Sequence, residues 1–512
     1  MKPHDKGNVA ELNEFKVLNE NVFIYPKSFN ELEDCTLFIG KRNFKKYLYV
    51  IAKNENALLN EFDGKKVEGN YTNGSKVIKE CELSNTNAKL IQKYFEFTKP
   101  KVIGLKYSFG FGDRIGLANP GHLKSVENKK IGVILAQQSI REMTRTERSP
   151  EDIMCAAVWA VYQEGYIEGF GADADHLKTI EDINKLVKAG FTMFTFDPSD
   201  HVISGVEKMN DQEIDKKIQE LPWDKYGETY NELLGRYLNK NIKINSNFII
   251  LPSKREIVSA VLKYFGVILQ GQKMFNHLSS FGNYNFEVEI SIDETDTVTS
   301  PFDHFFVASE LKRKNVKFVS LAPRFIGDFE KGIDYKGDLN IFRQDFVRHA
   351  AIAEFFGDYK VSLHSGSDKF SVYDIISENK NIIIHVKTAG TSYLEAIKVS
   401  AAKEPELFRR ILDFSRGLYE QEKKTYHVSA DINKVKPGKE YEDKELVGLF
   451  DDNNVRQILH VTFGKILTDR DKNNNYIFRD DLYNCLRENE DLYNEYLYKH
   501  FRKHLAPFEK NI

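Results

Sequence analysis

Residues 169–179 read GFGADADHLKT and place Asp175, His176 and Lys178 directly after a short apolar run. Ordering an acid, an imidazole and an amine side by side costs free energy, because each group loses solvation unless a partner compensates it. Imidazole nitrogen and carboxylate oxygen together suit a divalent transition metal, whereas an amine suits an anion. The segment therefore indicates a site for a metal ion or an anion.

Several other apolar runs of the chain also end in acids, histidines or basic residues. Histidines and carboxylates that converge from separate strand ends can bind one divalent ion, and a carboxylate beside that ion can serve as a base. A single histidine in an apolar strand is more often a hydrogen-bonded core residue than a ligand, so the prediction depends on several such residues coinciding. The residues in question are Asp113, Arg114, Asp197, Asp200, His201, Asp293, Glu294, Asp296, His304, Arg324, Asp328, Glu330, His364, Asp368, Lys369, His385 and Lys387.

The apolar runs that carry these residues recur from residue 101 onward and alternate with helical patterns, which is typical of βα repetition. Eight such runs predict a TIM-type (β/α)8 barrel, an α/β fold whose reacting groups gather at the carboxyl ends of the strands. The predicted strands are 101–109, 166–173, 191–197, 286–293, 317–323, 359–365, 381–387 and 425–431.

Two segments between these runs carry helix boundary signals. Ser149 precedes Pro150 and acidic residues, which predicts a helix start. Gly190 closes the segment TIEDINKLVKAG, which predicts a helix end directly before the strand at 191–197. Both signals support alternation of helices and strands.

The patterning divides the chain into three parts. Residues 1–100 alternate short aromatic or β-branched runs with Asn, Gly and Lys turns, which predicts an N-terminal accessory α/β segment. The catalytic barrel is predicted at 101–440, and the stretch 198–285, which interrupts the repeat, is predicted to be a lid-like insertion over one barrel end. Residues 441–512 carry aromatics and leucines at helical spacing, which predicts a helical C-terminal extension.

Composition argues against several classes of protein. Of 512 residues, 41% are hydrophobic and 29% are charged, and the net charge of -3 gives no sign of a polyanion partner. The four cysteines lie far apart without a CxxC pair, which argues against a disulfide framework and a zinc ribbon. The amino terminus lacks an apolar signal-peptide core, and no stretch approaches the roughly 20 apolar residues of a membrane helix. We expect a cytoplasmic protein without nucleic-acid or membrane partners, and homo-oligomer formation stays open.

Five ordered blocks of the sequence resemble the tagaturonate epimerase family, bacterial sugar-acid enzymes that interconvert tagaturonate and fructuronate. The blocks are ADADHLKT, FTFDPSDH, ISIDETDTVTSPFDHFFVASELKRKNVKFVSLAPRFIGDFEKGIDY, LHSGSDKFSVY and HVKTAGTSYLEA, and they span roughly residues 100–440. The resemblance implies a metal-dependent isomerase of hexuronate catabolism on a barrel fold, with zinc, nickel, manganese or cobalt as its divalent cation. Some relatives of such enzymes act on fructose and tagatose, so both a sugar acid and a neutral ketose stay open as the substrate.

The resemblance also implies roles for individual residues. Asp175 would be the catalytic base and Glu294 its acid partner. An arginine fork and an ammonium group suit the carboxylate of a sugar acid. The implied substrate-binding residues are Arg324, Lys387 and, as a helper, Lys178. The implied metal ligands are His176, Asp328 and His364, with His201, His304 and Glu330 as alternatives to Asp328.

The two uronates differ at a carbon that is β to the ketone, where a carbonyl does not acidify a hydrogen strongly. We therefore predict a retro-aldol route, in which a base removes the hydroxyl proton, a carbon–carbon bond breaks and re-forms, and the metal stabilises the enediolate. Transient oxidation would need a nicotinamide, and FGFGDRIG at 109–116 lacks the GxGxxG spacing of a dinucleotide site.

Three other functions are compatible with these residues. A metal-dependent aldolase would release the fragments of the same cleavage, and a ketose isomerase would give an aldose instead of an inverted centre. A non-catalytic sugar-acid-binding protein would have no use for Asp175 and Glu294 beside a metal.

Overall fold

Eight parallel strands form a closed barrel at the centre of the protein, whose computed structural model describes residues 15–70 and 76–510. Each strand pairs with the next along the chain, and Phe109 of the first pairs with Val386 of the last to close the ring. The TIM-type barrel is thereby confirmed. The strands are β1 (Ser108–Phe111), β2 (Gly132–Ser139), β3 (Phe170–Leu177), β4 (Met193–Phe196), β5 (Glu287–Ile292), β6 (Ser320–Pro323), β7 (Lys360–Leu363) and β8 (Ile384–Thr388).

Six of the predicted barrel strands overlap β3 to β8, but the other two predictions differ from the structure. The segment 425–431 is not a strand, and its Tyr426 lies at the barrel mouth. The strand missing from the prediction is β2, whose polar end, Gln137 to Ser139, is buried like the rest of it. The first strand starts later than predicted, because the backbone N–H groups of Ile103 and Gly104 donate to the Glu287 carboxylate instead of to a neighbouring strand.

Helices surround the barrel, and most follow directly from the strand before them. The predicted helix starts and stops are confirmed: Ser149 and Asp152 form a capping box, and Gly190 ends its helix in a left-handed conformation. The helices of the ring are Asn119–Ser125, Ile140–Thr146, Pro150–Glu164, Ile180–Ala189, Lys254–Ser279, Pro301–Arg313, Leu339–Phe356, Phe370–Ser377 and Thr391–Lys403.

The segment 198–285 lies outside the barrel. It contributes three shorter helices, Asp211–Glu220, Trp223–Tyr226 and Tyr230–Tyr237, before the 26-residue helix Lys254–Ser279. That long helix packs on Pro301–Arg313 and so occupies the ring position after β4. The residues that line the barrel mouth come from other parts of the chain.

The two ends of the chain pack together against one side of the barrel. The N-terminal part forms antiparallel sheets and two helices, and the C-terminal part is helical. Glu490 at the start of the final helix binds Lys41 and Lys46 of the N-terminal sheet at 3.2 and 2.7 Å. No helix in the described part of the chain is long and apolar enough to cross a membrane.

The elements of these two parts have the following bounds. The N-terminal strands are Lys16–Val17, Glu20–Asn21, Phe23–Ile24, Asn30–Leu32, Cys35–Arg42, Lys45–Ala52, Lys65–Val67, Gly69–Asn70 and Val77–Glu82, with helices Ala57–Glu61 and Asn85–Tyr94. The C-terminal helices are Pro405–Glu422, Asp443–Leu446, Asn453–Val461, Phe463–Thr468, Arg479–Glu488 and Glu490–Leu505.

Candidate active site at the barrel mouth

A buried lysine surrounded by carboxylates forms the floor of the mouth. Lys387 of β8 lies 2.7 Å from both Asp173 and Asp175 of β3. Its ammonium also lies 2.8 Å from Glu289 of β5 and donates a hydrogen bond to Thr195 of β4. Burial opposes the charged form, but the three carboxylates outweigh burial and hold the pKa of Lys387 well above its ordinary value. Lys387 is therefore charged, and three carboxylates already surround its ammonium group.

Three carboxylates around one ammonium leave an excess of negative charge on this floor. Burial, followed by repulsion from Asp175 and Glu289, raises the pKa of Asp173 to about 6 despite Lys387. Asp175 behaves in the opposite way: burial is outweighed by His176 and Lys387, which lower its pKa well below the ordinary value. The floor therefore attracts positive charge.

A β-bulge in β3 brings two consecutive side chains to the mouth. The pairing register with β4 shifts between Ala174 and Leu177, and His176 adopts a left-handed conformation with φ of 52°. Neighbouring side chains of a regular strand point to opposite faces, whereas a bulge re-aims one of them. Asp175 and His176 therefore both line the cavity, with Asp175 Oδ1 2.8 Å from His176 Nδ1.

His176, Asp293 and His364, which we term the mouth cluster, offer donor atoms that all lie within 4.8 Å of one another. His364 Nδ1 lies 3.0 Å from Asp293 Oδ1, and its Nε2 lies 2.6 Å from Glu289 Oε1. Asp293 follows β5 and His364 follows β7, so separate strands supply the three groups. Two imidazoles and a carboxylate are a donor set that divalent transition metals accept.

The electrostatics of the mouth cluster favour a cation. Burial alone would lower the pKa of both histidines, but Asp175 raises the pKa of His176 to about 9. Asp293 and Glu289 raise the pKa of His364 to about 10 against the same opposing effect. Both histidines thus hold positive charge in the absence of an ion, and a metal ion would supply this charge in place of the two protons.

Glu294 lies on the other side of His176 from Asp175. Its Oε1 is 3.8 Å from His176 Nε2 and 3.9 Å from a guanidinium nitrogen of Arg141. The Glu294 side chain is 39% exposed, whereas that of Asp175 is 9% exposed. The mouth therefore presents one enclosed and one accessible carboxylate on either side of an imidazole, an arrangement suited to moving a proton at two positions of a substrate.

Known proteins are similar to this chain over almost its whole length. The model of the UxaE tagaturonate epimerase family matches residues 25–508. The chain belongs to the tagaturonate epimerase family. Its similarity to the tagaturonate/fructuronate epimerase of Thermotoga maritima is 41% identity over 487 residues, which cover 95% of this chain and 97% of that protein. As a member of this family the protein is an isomerase that acts as a carbohydrate epimerase.

Solved structures of relatives give the same result. The native and the one-glycerol crystal structures of the fructuronate-tagaturonate epimerase UxaE from Cohnella laeviribosi each have a TM-score of 0.89 and 38% identity to this chain. Each alignment covers 95% of this chain and 96% of the other. The family likeness therefore includes the barrel and both terminal parts.

The epimerase does not bring Asp328, one of the ligands implied by the sequence, into the mouth cluster. Asp328 pairs with Lys336 in an isolated β-bridge, and its carboxylate lies 3.0 Å from His427. Its side chain is 52% exposed. Asp293, and not the Asp328 that the family resemblance implied, lies beside His364.

The three alternatives to Asp328 also lie outside the mouth cluster. His201 is exposed in a short turn after β4. His304 is buried between His349 and Tyr359 at 2.8 and 2.9 Å, and burial holds its pKa well below the ordinary value. Glu330 accepts hydrogen bonds from Lys336 of its own loop, from Ser429, and from Gln457 of the helix Asn453–Val461.

The implied substrate-binding residues occupy three different environments. Lys387 is surrounded by carboxylates, as described above. Lys178 donates to Asp200 at 2.6 Å and does not line the described cavities of the mouth. Arg324 lines a cavity of about 200 Å³ that adjoins the mouth cluster. Lys178 and Lys387 would each have to leave a carboxylate partner to bind a substrate. Among the described residues, Arg324 has no such partner and lines a cavity that a substrate can enter.

Sequence reasoning missed other residues that line the mouth. Gln137 lies near the carboxyl-terminal end of β2, and Arg141 lies in the helix Ile140–Thr146 that follows it. Both were missed because β2 was not recognised as a barrel strand. Lys331, which follows Glu330 in a block quoted for the family, also lines the mouth. Burial and the charge of Arg141 lower the pKa of Lys331.

Proposed function

We propose that this epimerase interconverts tagaturonate and fructuronate at the barrel mouth, with the mouth cluster as a divalent metal site. The observation that carries the proposal is the convergence of His176, Asp293 and His364 between the two carboxylates Asp175 and Glu294. Membership of the tagaturonate epimerase family supports the choice of substrate.

The residues of the mouth cluster fit a metal ion. They combine two imidazoles and a carboxylate, and their donor atoms all lie within 4.8 Å of one another. Zinc, nickel, manganese and cobalt all accept such donors. When bound, the cation would supply Lewis-acid charge for the oxygens of a ketose substrate.

We propose a retro-aldol route for the inversion. A base removes the proton of the hydroxyl on the carbon β to the ketone, and that oxygen becomes an aldehyde oxygen as the bond between the α and β carbons breaks. The bonding electrons pass to the α carbon and the former carbonyl, which together form an enediolate. The aldehyde rotates, the bond re-forms on the opposite face, and a proton returns to the new hydroxyl.

Asp175 and Glu294 would handle the proton on the two faces. His176 and Lys387 are the described partners of the Asp175 carboxylate, and both bind its Oδ1 atom. The Oδ2 atom of Asp175 therefore stays available to a substrate hydroxyl. Glu294 lies beyond His176 and is accessible from the cavity. An inverted centre presents its hydroxyl in two directions, and two carboxylates on either side of one position can serve both.

The experiment is to incubate metal-free and metal-loaded protein with tagaturonate, fructuronate, tagatose and fructose, and to separate the products. We expect inversion of the uronates by metal-loaded protein only, and three-carbon fragments when an aldehyde trap is added. Full turnover of metal-free protein would contradict the metal site. Solvent deuterium at the inverted carbon, with no trapped fragments, would contradict the retro-aldol route.

A further inference from the structure

Two adjoining cavities open at the barrel mouth and share one wall. Asp175 and His176 line the smaller cavity, and Arg324 lines the larger one, which has a volume of about 200 Å³. The shared wall consists of Arg141, Asp293, Glu294, Lys331, His364, Ser365 and Tyr426. A substrate whose reacting carbon lies beside Asp175 and Glu294 must therefore place its neighbouring groups against this wall.

The cations that face the smaller cavity differ in how far they are neutralised. Lys387 has three carboxylate partners, and Arg114 lies 2.7 Å from Glu142 with its guanidinium 3.7 Å from the Phe463 ring centre. Lys331 forms no ion pair with any described residue, and its Nζ donates to the Ser365 hydroxyl at 2.7 Å. Lys331 is thus a cation without a counter-ion on the shared wall.

Arg141 lines the same two cavities as Lys331 and is also incompletely paired. Its nearest described carboxylate is Glu294 at 3.9 Å, beyond hydrogen-bond distance, and its guanidinium lies 5.7 Å from the Tyr426 ring centre. The charges of Arg141 and Lys331 repel each other across the wall. An anion bound between two such cations removes that repulsion and gains charge-assisted hydrogen bonds from both.

We propose that Lys331 and Arg141 bind the carboxylate of the sugar acid and so determine the preference for a uronate over a neutral ketose. The inference rests on the proposed function and deepens it. In a ketohexuronate the carboxylate carbon is two bonds from the inverted carbon, so its binding site must lie next to the acid–base groups. Arg141 meets this requirement because it lies beside Glu294.

Ser365 positions the lysine for this role. The residue follows His364 of the mouth cluster and adopts a left-handed conformation with φ of 50°, which is uncommon for a side chain other than glycine. Its hydroxyl holds the Lys331 ammonium beside the shared wall. The fork of Arg141 adds directional hydrogen bonds to the point charge of Lys331.

The test compares each protein's affinity for tagaturonate with its affinity for tagatose by calorimetry, using metal-loaded wild type, Lys331→Met, Lys331→Arg and Arg141→Met. We expect wild type to prefer tagaturonate, and each methionine variant to reduce that preference by about 10- to 100-fold, since each loses one charge-assisted hydrogen bond. Lys331→Arg keeps the charge and should retain most of the preference. The matched control is Lys336→Met, because Lys336 lies on the same loop but pairs with Glu330 outside the cavities.

The outcomes separate this proposal from the proposed function. An equal loss of affinity for tagaturonate and tagatose in Lys331→Met, or an unchanged preference, would overturn the carboxylate site. A wild type that binds tagaturonate preferentially but inverts no substrate would overturn the proposed function alone. A wild type with no preference for the acid would overturn the carboxylate site, whatever its turnover.

Discussion

Two groups of histidine and carboxylate side chains in this protein have the same donor count but opposite electrostatics. One is the mouth cluster, and the other, which we term the C-terminal cluster, consists of Asp368, His500 and His504. In each group the donor atoms lie within 4.8 Å of one another. The comparison shows that proximity of donors does not by itself favour a metal ion.

The C-terminal cluster is already satisfied by protein groups. Arg456 lies 2.8 Å from Asp368, and His500 lies 3.2 Å from both Asp368 and Glu395. The Nε2 atom of His504 accepts the backbone N–H of Asp368, and burial lowers the pKa of His504 to about 3. A cation would have to displace the guanidinium and the backbone donor.

The mouth cluster has the reverse balance. The carboxylates beside it outnumber its permanent cations, which raises the pKa of both His176 and His364. The three residues of the mouth cluster also line the cavity at the barrel mouth, whereas Asp368, His500 and His504 do not line it. Charge balance and access therefore distinguish a candidate metal site from a structural ion-pair network.

His364→Ala should have the largest effect, because it removes a donor to which Asp293 and Glu289 both pair. We expect metal content to fall from about one ion per chain to near zero, with loss of turnover. Atomic emission after dialysis measures this. His504→Ala is the matched control in the C-terminal cluster and should retain the ion. Full metal content in His364→Ala would break the distinction between the clusters.

Asp175→Asn should reduce turnover by about 10²- to 10⁴-fold, the usual range for loss of a general base. The amide keeps the shape of the side chain but cannot accept the hydroxyl proton. Metal content should be unchanged, since Asp175 is not in the mouth cluster. Asp200→Asn serves as the control, because Asp200 pairs with Lys178 outside the mouth. Turnover near that of wild type would exclude Asp175 as the base.

Arg456→Met should destabilise the fold without affecting metal content. Removing one partner of a buried ion pair costs about 3 kcal/mol, because the Asp368 charge is left uncompensated. Denaturant unfolding measures the loss. Arg410→Met removes an ion pair whose two side chains are 55% and 57% exposed and should cost less than about 1 kcal/mol. Equal losses in the two variants would show that the C-terminal cluster is not a stabilising network.

The pH dependence of stability should differ between the clusters. The folded pKa values of His176 and His364, about 9 and about 10, lie above the unfolded value near 6.5. Their stabilisation is complete below pH 6.5 and is lost as pH rises through 9 and 10, so the melting temperature of metal-free protein should fall over this range. A bound ion replaces the two protons and should remove this fall.

His504 should give the opposite dependence. Its folded pKa of about 3 lies below the unfolded value, so the native state binds fewer protons and stability should be lost as pH falls from about 6.5 toward 3. The metal-loaded and metal-free proteins should both show this loss of stability at acidic pH. Melting temperatures measured across the pH range, with and without chelator, test the acidic and the alkaline loss of stability. An alkaline fall of equal size in the two forms would contradict the assignment of the ion to the mouth cluster.

The sequence was sufficient to predict the barrel and much of the site. Strand periodicity and strand-end chemistry placed His176, His364 and Asp175 at one mouth, and the structure brings them together. The apolar runs predicted the strands and the capping residues predicted the helix boundaries, and both signals are contained in short stretches of sequence. The roles of these residues were implied by the family resemblance, and the bulge that brings both Asp175 and His176 to the mouth was not predicted.

The remaining assignments depended on contacts that a sequence does not reveal. Asp293 is the last residue of one predicted strand and Asp328 follows another, but the bridge between Asp328 and Lys336 turns Asp328 toward His427 and the surface. The role of Lys387 depended on three carboxylates from two other strands. Strand β2 was missed because its end, Gln137 to Ser139, is polar in sequence although it is buried in the structure. The helix after β2, which contains Arg141, could therefore not be placed at the mouth.

Anomalous diffraction from crystals of the manganese-loaded protein tests the central claim most directly. The account predicts a strong peak between His176, Asp293 and His364 and none at Asp368, His500 and His504. A peak at the C-terminal cluster, or an empty mouth cluster at saturating manganese, would contradict it.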